Sequence, residues 1–302
     1  MGLTASDTTG SLALPFVEGG LDGLAVQAVR GSVRPIVKWA GGKRALLPAL
    51  SALAPGTFRN YLEPFVGGGS FFFHLAPECG ALGDANADLV ELYRTVRDAP
   101  AELMTALDRL RPWVEDRDEY YRLRAIEPND LEPVERAARF MFLNKVGFNG
   151  LYRVNRRGGF NVPFGAHTSP PTLYDRANLV QAAALLRRVS LEHSDFEAVF
   201  ARAGSGDFAY VDPPYVPLTT TANFTQYTAG SFGEPDQRRL AETIERAVAR
   251  GCSVLLSNSD TPLVHELYAR YKIHTLRANR NINSDGTKRQ KVTELAIQAF
   301  PR

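Results

Sequence analysis

Short apolar runs alternate with helical stretches along the chain from Pro35 onward. Short apolar runs bounded by turn residues are typical of buried strands, whereas apolar positions spaced by three or four residues predict helices. Strands that alternate with helices favour an α/β fold built on a mostly parallel sheet. The pattern predicts seven strands, at residues 61–65, 80–84, 189–193, 208–212, 253–257, 273–278 and 294–300.

The segment between the second and third predicted strands has a different character. It is mainly helical and ends in a stretch rich in Gly, Asn and Arg at residues 147–165. A parallel crossover needs only about a dozen residues, so we interpret the segment as an inserted subdomain. Asp285-Gly286, between the last two strands, is a hairpin signal and predicts one antiparallel strand. The helices of the insertion are predicted at residues 88–96, 101–110, 120–126 and 134–144.

The composition is that of an ordinary globular protein. The chain has 302 residues, of which 44% are hydrophobic and 23% charged, and this excludes disordered, collagen-like and disulfide-scaffold classes. At this length we expect either one domain with a large insertion or two domains. We predict a flexible N-terminal extension at residues 1–33, a main domain made of residues 34–87 and 172–302, and an inserted subdomain at residues 88–171.

Cysteine content and charge narrow the class of protein further. Cys79 and Cys252 are too few for a disulfide framework and lack the spacing of a metal site. No apolar run approaches the roughly 18 residues of a membrane span, and the N-terminus lacks a secretion signal, so we expect a cytoplasmic protein without membrane or metal. The net charge of +2 hides two basic segments. Residues 144–174 hold four basic and no acidic residues, and residues 270–291 hold seven basic residues and one acidic residue.

A glycine-rich turn follows the first predicted strand. Glu63-Pro64-Phe65-Val66-Gly67-Gly68-Gly69-Ser70 lies between that strand and an apolar helix predicted at residues 71–75. Glycines let the backbone approach a ligand closely, and the carboxyl edge of a parallel sheet is where such folds bind nucleotides. Asp84 ends the next strand, where a carboxylate can bind ribose hydroxyls. The spacing predicts a site for a nucleoside-bearing cofactor; the alternative is an ordinary tight turn.

A second constellation, Asp212-Pro213-Pro214-Tyr215, follows the fourth predicted strand. Each proline fixes its own φ and restricts the residue before it, which predicts a rigid, extended corner. The corner suits methyl transfer to a planar exocyclic amine, because the Asp212 carboxylate and the Pro213 carbonyl can each accept one N–H while Tyr215 stacks on the ring. Positioning and electrostatics would supply the rate without a covalent intermediate or a metal. The alternative is a buried turn with a capping aspartate and a core tyrosine.

Seven sequence blocks occur in the order of one known family. They are residues 37–43, 63–70, 83–86, 143–165, 210–227, 255–260 and 287–295. In these blocks the chain resembles Dam-type DNA adenine-N6 methyltransferases of the D12 class, whose recognition insertion lies between the cofactor motif and the Asp-Pro-Pro-Tyr motif. The resemblance implies a Rossmann-like seven-stranded α/β sheet with an antiparallel last strand. It also implies S-adenosyl-L-methionine as cofactor and methylation of a flipped adenine in double-stranded DNA, within GATC. We expect a monomer associated with the nucleoid.

The resemblance assigns the cofactor contacts. Trp39 and Lys43 would line the S-adenosylmethionine site, with Asp84 on the ribose. Asp212 would lie between the cofactor and the target amine. An acidic-aromatic pair after the third strand would approach the cofactor adenine; from the residues alone, that pair is also the pattern of a helix cap. The whole predicted cofactor set is Trp39, Lys43, Phe65, Gly67, Gly69, Asp84, Asp195, Phe196 and Asp212.

The resemblance places DNA recognition in the loop at residues 147–165 and at one lysine before the cofactor motif. An adenine N6 is not accessible inside a duplex, so the target base must be flipped out. Phe148 and Asn149 are predicted to fill the space that the base leaves, and Arg153 to contact guanine O6 and N7. The alternative for Arg153 is a solvated loop that holds phosphates. The predicted DNA set is Lys38 on a second guanine, Phe148, Asn149, Arg153, Leu151 and Pro163 on a thymine methyl, and Arg156 and Arg157 on phosphates.

Several alternatives remain open at this level. An adenine-N6 methyltransferase with a different recognition sequence would share every motif. An RNA or protein-amide methyltransferase could use a similar corner, yet it would not need the block around Lys38 or the Arg153 loop. A non-catalytic DNA-binding module would not need Trp39, Asp84 and Asp212, all of which are present. Residues 223–227 are predicted to form a loop that orders over the target base.

Overall fold

One seven-stranded sheet organises the chain. The computed structural model describes the backbone of residues 26–27 and residues 33–155, 158–216, 232–279 and 291–301. The sheet has the order β5-β4-β3-β6-β7-β9-β8. Its strands are β3 (Tyr61–Glu63), β4 (Gly80–Asp84), β5 (Val189–His193), β6 (Phe208–Val211), β7 (Ser253–Ser259), β8 (Lys272–Asn279) and β9 (Lys291–Ala299).

The strand directions match the prediction. The pairs β3–β4, β4–β5, β3–β6 and β6–β7 are parallel, whereas β9 runs antiparallel to both of its neighbours, β7 and β8. The Rossmann-like α/β sheet with an antiparallel last strand is therefore confirmed. The chain builds outward from β3 to β5 on one side and then continues with β6 on the other side, so the order reverses between β3 and β6. Open α/β sheets bind ligands at such a switch point, beyond the carboxyl ends of the strands.

Helices cover both faces of the sheet, and the strand residues alternate between them. In β6, Phe208 and Tyr210 join the core on one face, and Ala209 and Val211 join the core on the other. A strand buried on both faces reads as a continuous apolar run, which explains the sequence pattern. The first face is covered by α1 (Leu47–Leu53), α2 (Ser70–Leu75), α3 (Ala87–Asp98) and α7 (Arg176–Leu186), and the second by α8 (Phe196–Phe200), α9 (Glu234–Ala249) and α10 (Pro262–Leu267).

The segment between β4 and β5 is helical. After α3 it forms α4 (Pro100–Leu110), α5 (Arg117–Ala125) and α6 (Pro133–Val146), linked by short 3-10 turns. The helix α5 begins three residues earlier than predicted, because the Asp116 side chain accepts the backbone N–H groups of Asp118 and Glu119 and caps the first turn. The buried face of α6 joins the same core as α3 and packs against α3 and α4, while α3 itself contacts β4 and β5, so the inserted helices are joined to the sheet through α3.

Two strands end earlier than the apolar runs suggested. The first predicted strand stops at Glu63 and the fourth at Val211. Pro64 follows the first, and Pro213 follows the residue after the second; a proline has no N–H to donate to a sheet. Asp212 therefore lies beyond the sheet, in the corner.

The N-terminal region and several loops carry predictions that the structure leaves untested. Residues 1–25 and 28–32 of the predicted extension, the hairpin signal at Asp285-Gly286 and the predicted loop at residues 223–227 lie outside the described residues. The pair β1 (Val26–Gln27) and β2 (Thr57–Phe58) forms a small antiparallel ladder that the sequence pattern did not predict. Among the described residues, no helix has the length and apolar character needed to cross a bilayer.

Candidate active site

The two motifs meet at one edge of the sheet. Strands β3 and β6 are parallel neighbours, with Tyr61 opposite Phe208 and Leu62 opposite Ala209. The glycine turn leaves the carboxyl end of β3, and Asp212 leaves the carboxyl end of β6. Strand β4, on the other side of β3, brings Asp84 to the same edge. The switch point is thus bordered by a glycine turn and two carboxylates.

The glycine turn is fixed by a carboxylate and a tyrosine. Asp84 Oδ2 accepts the backbone N–H of Gly67 at 2.9 Å, and Asp84 Oδ1 accepts that of Asn86 at 2.9 Å. Tyr93 donates its hydroxyl to the Gly67 carbonyl at 2.7 Å. Burial raises the pKa of Asp84, while the Gly67 N–H acts in the opposite direction. A carboxylate has about four lone-pair positions, so Asp84 can still accept hydroxyl groups of a ligand.

Trp39 forms a wall over this turn. Gly67 has a φ of +47°, and a Cβ there would lie 2.8 Å from Cδ1 of Trp39, so only glycine fits. The indole stacks on Tyr152 of the 147–165 loop, with ring centroids 5.5 Å apart, and on Phe140 of α6 at 6.4 Å. Trp39 therefore connects the glycine turn to the inserted segment.

Aromatic rings line the other end of the turn. Phe65 stacks on Phe196 at 5.4 Å and meets Phe232 edge-on at 5.6 Å. Asp195 caps α8 by accepting the Glu197 N–H at 2.9 Å, and it forms an ion pair with Arg239 at 2.9 Å. The helix-cap interpretation therefore describes the contacts of Asp195, whereas Phe196 lies beside Phe65, another residue of the predicted cofactor set.

Lys43 is a buried cation against the catalytic corner. Its Nζ lies 3.1 Å from Asp212 Oδ1 and 3.7 Å from Glu294 Oε2, and it donates to the Gly41 carbonyl at 2.7 Å. The same ammonium lies 4.7 Å from the centre of the Tyr215 ring, a cation–π distance. Lys43 is only 4% exposed. The structure thus brings Lys43 into contact with Asp212, Tyr215 and Glu294, all of which lie more than 160 positions after it in the sequence.

Asp212 is held by Lys43 on one side and is open on the other. Lys43 Nζ lies 3.1 Å from the buried Oδ1, while the Asp212 side chain as a whole is 21% exposed. Burial raises the pKa of Asp212, and the Lys43 charge opposes that effect. The remaining lone pairs of the carboxylate can accept an N–H from a molecule that enters the corner.

Polar side chains on neighbouring elements hold the corner rigid. Gln237 on α9 donates to the Pro214 carbonyl at 2.8 Å and accepts from the Asn258 amide at 3.1 Å. Ser259 donates to the Val216 carbonyl at 2.7 Å. Pro213 is buried between these groups and the core. The sequence pattern did not single out Gln237, since a glutamine in a helix carries no local signal.

Two buried carboxylates beside the corner were also missed. Tyr215 donates its hydroxyl to Glu294 on β9 at 3.1 Å, and Tyr61 donates to Glu63 at 2.7 Å. Burial raises the pKa of Glu63 well above its usual range. The available signal for Glu294 was an acidic residue at the start of an otherwise apolar strand. The two carboxylates of Asp212 and Glu294 surround the single positive charge of Lys43, and this excess of negative charge favours a cationic ligand.

The 147–165 loop forms a narrow ladder that exposes the predicted recognition side chains. Gly147 pairs with Phe164, Val154 pairs with Phe160, and the Phe148 N–H donates to the Pro163 carbonyl at 2.9 Å. Phe148 is 44% exposed, which is unusual for a phenylalanine. The exposed or half-exposed residues of the predicted DNA set are Lys38, Phe148, Asn149, Leu151, Arg153 and Pro163, whereas Arg156 and Arg157 lie outside the described residues.

Asn161 holds the Arg153 guanidinium in one orientation. Arg153 donates from Nε to Asn161 Oδ1 at 2.7 Å and from Nη2 to the Asn161 carbonyl at 3.2 Å. Both bonds use the edge of the guanidinium group formed by Nε and Nη2. The opposite edge, formed by Nη1 and the second N–H of Nη2, is the one that a bidentate partner would take.

Comparison with known proteins identifies the family. Residues 39–282 match the model of the D12 class N6 adenine-specific DNA methyltransferases. The chain is 39% identical to the Type II methyltransferase M1.LlaDCHI of Lactococcus lactis subsp. cremoris, over 89% of this chain and 96% of the relative. It is 38% identical to the Type II methyltransferase M.MjaIII of Methanocaldococcus jannaschii, over 89% and 99%. It is 39% identical to the DNA adenine methylase of Escherichia coli strain K12, over 87% and 94%. The chain belongs to the D12 class of N6 adenine-specific DNA methyltransferases.

Proposed function

We propose that this DNA adenine methyltransferase transfers a methyl group from S-adenosyl-L-methionine to N6 of an adenine flipped out of double-stranded DNA, within GATC. The observation that carries the proposal is the position of the partly exposed Asp212 carboxylate, paired with Lys43, beside the glycine turn on the neighbouring strand. One motif suits a nucleoside-bearing donor and the other an amine acceptor. Their adjacency at the switch point suits direct transfer between the two.

The residues at the sheet edge fit S-adenosylmethionine. The backbone of Gly67 lies against the Trp39 ring with no room for a Cβ, Asp84 keeps acceptor positions for ribose hydroxyls, and Phe65 and Phe196 offer an aromatic surface for a purine. When bound, the cofactor supplies an electrophilic methyl group on a cationic sulfonium. The excess of carboxylates over Lys43 favours that cation electrostatically. We also assign Trp39, Gly69 and Asp195 to the cofactor site.

The corner acts on the target amine through hydrogen bonds. One oxygen of the Asp212 carboxylate accepts one N–H of the amine and the Pro213 carbonyl accepts the other, which favours rehybridisation of the nitrogen and withdraws its lone pair from conjugation with the ring. Tyr215 stacks on the base, and Glu294 fixes its hydroxyl. As the nitrogen becomes positive, the Asp212 carboxylate stabilises it more strongly than it stabilises the neutral amine. The same oxygen is placed to receive the proton that the amine loses.

DNA recognition is assigned to the insertion and to Lys38. Phe148 is exposed at the tip of α6 and is proposed to fill the gap left by the flipped base, next to Asn149. Lys38 and Arg153 contact the two guanines of GATC, and Leu151 and Pro163 contact a thymine methyl. Arg156 and Arg157 contact phosphates. The name of the Escherichia coli relative, DNA adenine methylase, supports this substrate.

The main domain and the insertion are given different roles. Residues 34–87 and 172–302 are proposed to form the catalytic, cofactor-binding domain, and residues 88–171 the target-recognition subdomain. One copy of this arrangement contains both proposed sites, so we propose that the enzyme acts as a monomer on DNA in the cytoplasm, at the nucleoid.

Sequencing of DNA from living cells tests the target. The chain is expressed in cells that lack endogenous adenine methylation, and N6-methyladenine is mapped in the recovered plasmid. The proposal predicts methylated adenines in GATC and none elsewhere. Methylation in another sequence would correct the recognition assignment alone, whereas an unmodified plasmid in cells that contain folded protein would contradict DNA methylation.

Lys145 is expected to make DNA binding depend on pH. This half-buried residue lies beside Lys38 in the basic segment, and burial, together with the charges of Lys38 and Arg34, lowers its pKa to about 8. Phosphates favour the charged form, so DNA affinity should fall as the pH rises through 8 and Lys145 loses its proton. Fluorescence anisotropy with a GATC duplex at fixed salt measures this. The Lys145→Arg variant keeps its charge and should show a flatter profile; an unchanged profile would contradict the assignment.

A further inference from the structure

A buried asparagine joins the cofactor segment to the recognition loop. Asn144 lies in the last turn of α6 and is 1% exposed. Its Oδ1 accepts the backbone N–H of Lys38 at 2.8 Å, and its Nδ2 donates to the Lys38 carbonyl at 2.7 Å. The second N–H of the same amide donates to the Gly150 carbonyl at 3.1 Å. One side chain thus binds the backbones of two segments that lie more than 100 residues apart in sequence.

Close packing reinforces this connection. Gly150 has a φ of +62°, and a Cβ there would lie 2.3 Å from Cδ of Lys38, so the loop backbone presses against the lysine stem. Trp39, the residue after Lys38, stacks on Tyr152, which lies two residues after Gly150. The direction in which Lys38 leaves the surface is therefore set by the loop that carries Phe148 and Arg153.

We propose that Asn144 is a positioning residue for sequence recognition, which holds Lys38 and the recognition loop in register so that both outer G·C pairs of the target are recognised together. The proposal rests on the guanine contacts given to Lys38 and Arg153 under the proposed function. An amide is suited to this role because it presents a donor and an acceptor side by side to one peptide unit and keeps a second donor for another. A carboxylate or a hydroxyl in the same place cannot make all three bonds.

The chain offers a matched control for this clamp. Asn178 on α7 accepts the backbone N–H of Arg34 at 2.8 Å and donates to the Arg34 carbonyl at 2.9 Å. This is the same two-bond clamp, four residues before Lys38, but no hydrogen bond joins Asn178 to the recognition loop among the described residues. Asn178→Ala should therefore remove a comparable backbone clamp without changing the position of Lys38 relative to the recognition loop.

The test measures kcat/KM on a GATC duplex and on two duplexes, each with one outer G·C pair replaced. Lys38→Ala and Arg153→Ala should each lower discrimination at one of the two pairs. Asn144→Ala should lower it at least tenfold at both pairs, with the cofactor Kd within about twofold of the wild-type value. Asn178→Ala should leave both ratios unchanged. The ratios compare substrates within one preparation, so the folded fraction of a destabilised variant does not affect them.

The outcomes separate this inference from the proposed function. If the wild-type enzyme does not prefer GATC, the recognition assignment fails, and the same ratios are measured on the sequence found by plasmid mapping. If it does prefer GATC, relaxation at both pairs supports the role of Asn144. Unchanged ratios, or relaxation at only one pair, would overturn it. Asn144→Ser, which keeps a small polar group, serves if the alanine variant does not fold, with the same expected loss at both pairs.

Discussion

Asp212→Ala is expected to lower kcat by about a thousandfold while leaving GATC binding largely intact. The variant removes the carboxylate that accepts the amine N–H and stabilises the developing charge, and removal of one preorganised transition-state group costs about 10²–10³ in rate. Binding survives because the predicted DNA contacts come from other segments. Single-turnover methyl transfer and gel-shift titration on the same duplex separate the two effects.

A neighbouring carboxylate supplies the control. Asp260 directly follows β7, the strand next to β6, and is exposed with a hydrogen bond to His265 at 2.8 Å. It lies at the same sheet edge without contact to the corner residues in the structure. Asp260→Ala should keep kcat within about twofold of the wild-type rate. Substantial turnover in Asp212→Ala, or an equal loss in both variants, would contradict the role given to Asp212.

Arg153→Ala is expected to lower discrimination at one G·C pair by about 5- to 150-fold, the equivalent of the 1–3 kcal/mol of a bidentate arginine–guanine contact. Asn161 already holds the Nε side of the guanidinium, so little side-chain entropy is lost when the other edge meets a base. The ratio of kcat/KM between GATC and a duplex changed at that pair measures the effect.

The contrast with a phosphate contact decides the interpretation. A phosphate-binding arginine would weaken all duplexes equally and leave the ratio unchanged. Arg153→Lys should be intermediate, because an ammonium lacks the flat two-donor edge. Arg122→Ala provides a surface control, since Arg122 on α5 is exposed and pairs with Glu119. A uniform loss of affinity in Arg153→Ala would replace base contact by phosphate contact.

The fold was predictable because a strand that is buried on both faces appears in the sequence as a continuous apolar run. Phe208–Val211 is apolar throughout, since its alternate residues enter two different cores. The strand directions followed from segment lengths and one turn signal. The strand ends were less predictable. The sheet pairing of β3 ends before Pro64 and that of β6 ends two residues before Pro213, whereas the predicted strands continued to Phe65 and Asp212.

The site was predictable only where a motif is local. The glycine turn and the Asp212 corner are each contiguous, and the resemblance to a family supplied their relation. Glu294 and Asn144 act through partners 79 and 106 residues away, and a single polar residue in a strand or helix carries no sign of its burial. The contact of Lys43 with Asp212 likewise depends on strand order, which brings β3 and β6 together although β4, β5 and the insertion separate them in sequence.

Label transfer tests the central claim most directly. Purified protein is incubated with S-adenosylmethionine labelled in its methyl group and with a GATC duplex, a duplex in which the adenines of that site are replaced, an RNA duplex and a protein extract, and the products are digested to nucleosides and amino acids. Label is expected in N6-methyladenine from the GATC duplex alone. Label in cytosine, in RNA or in a protein amide, or no transfer to DNA by the folded enzyme, would contradict it.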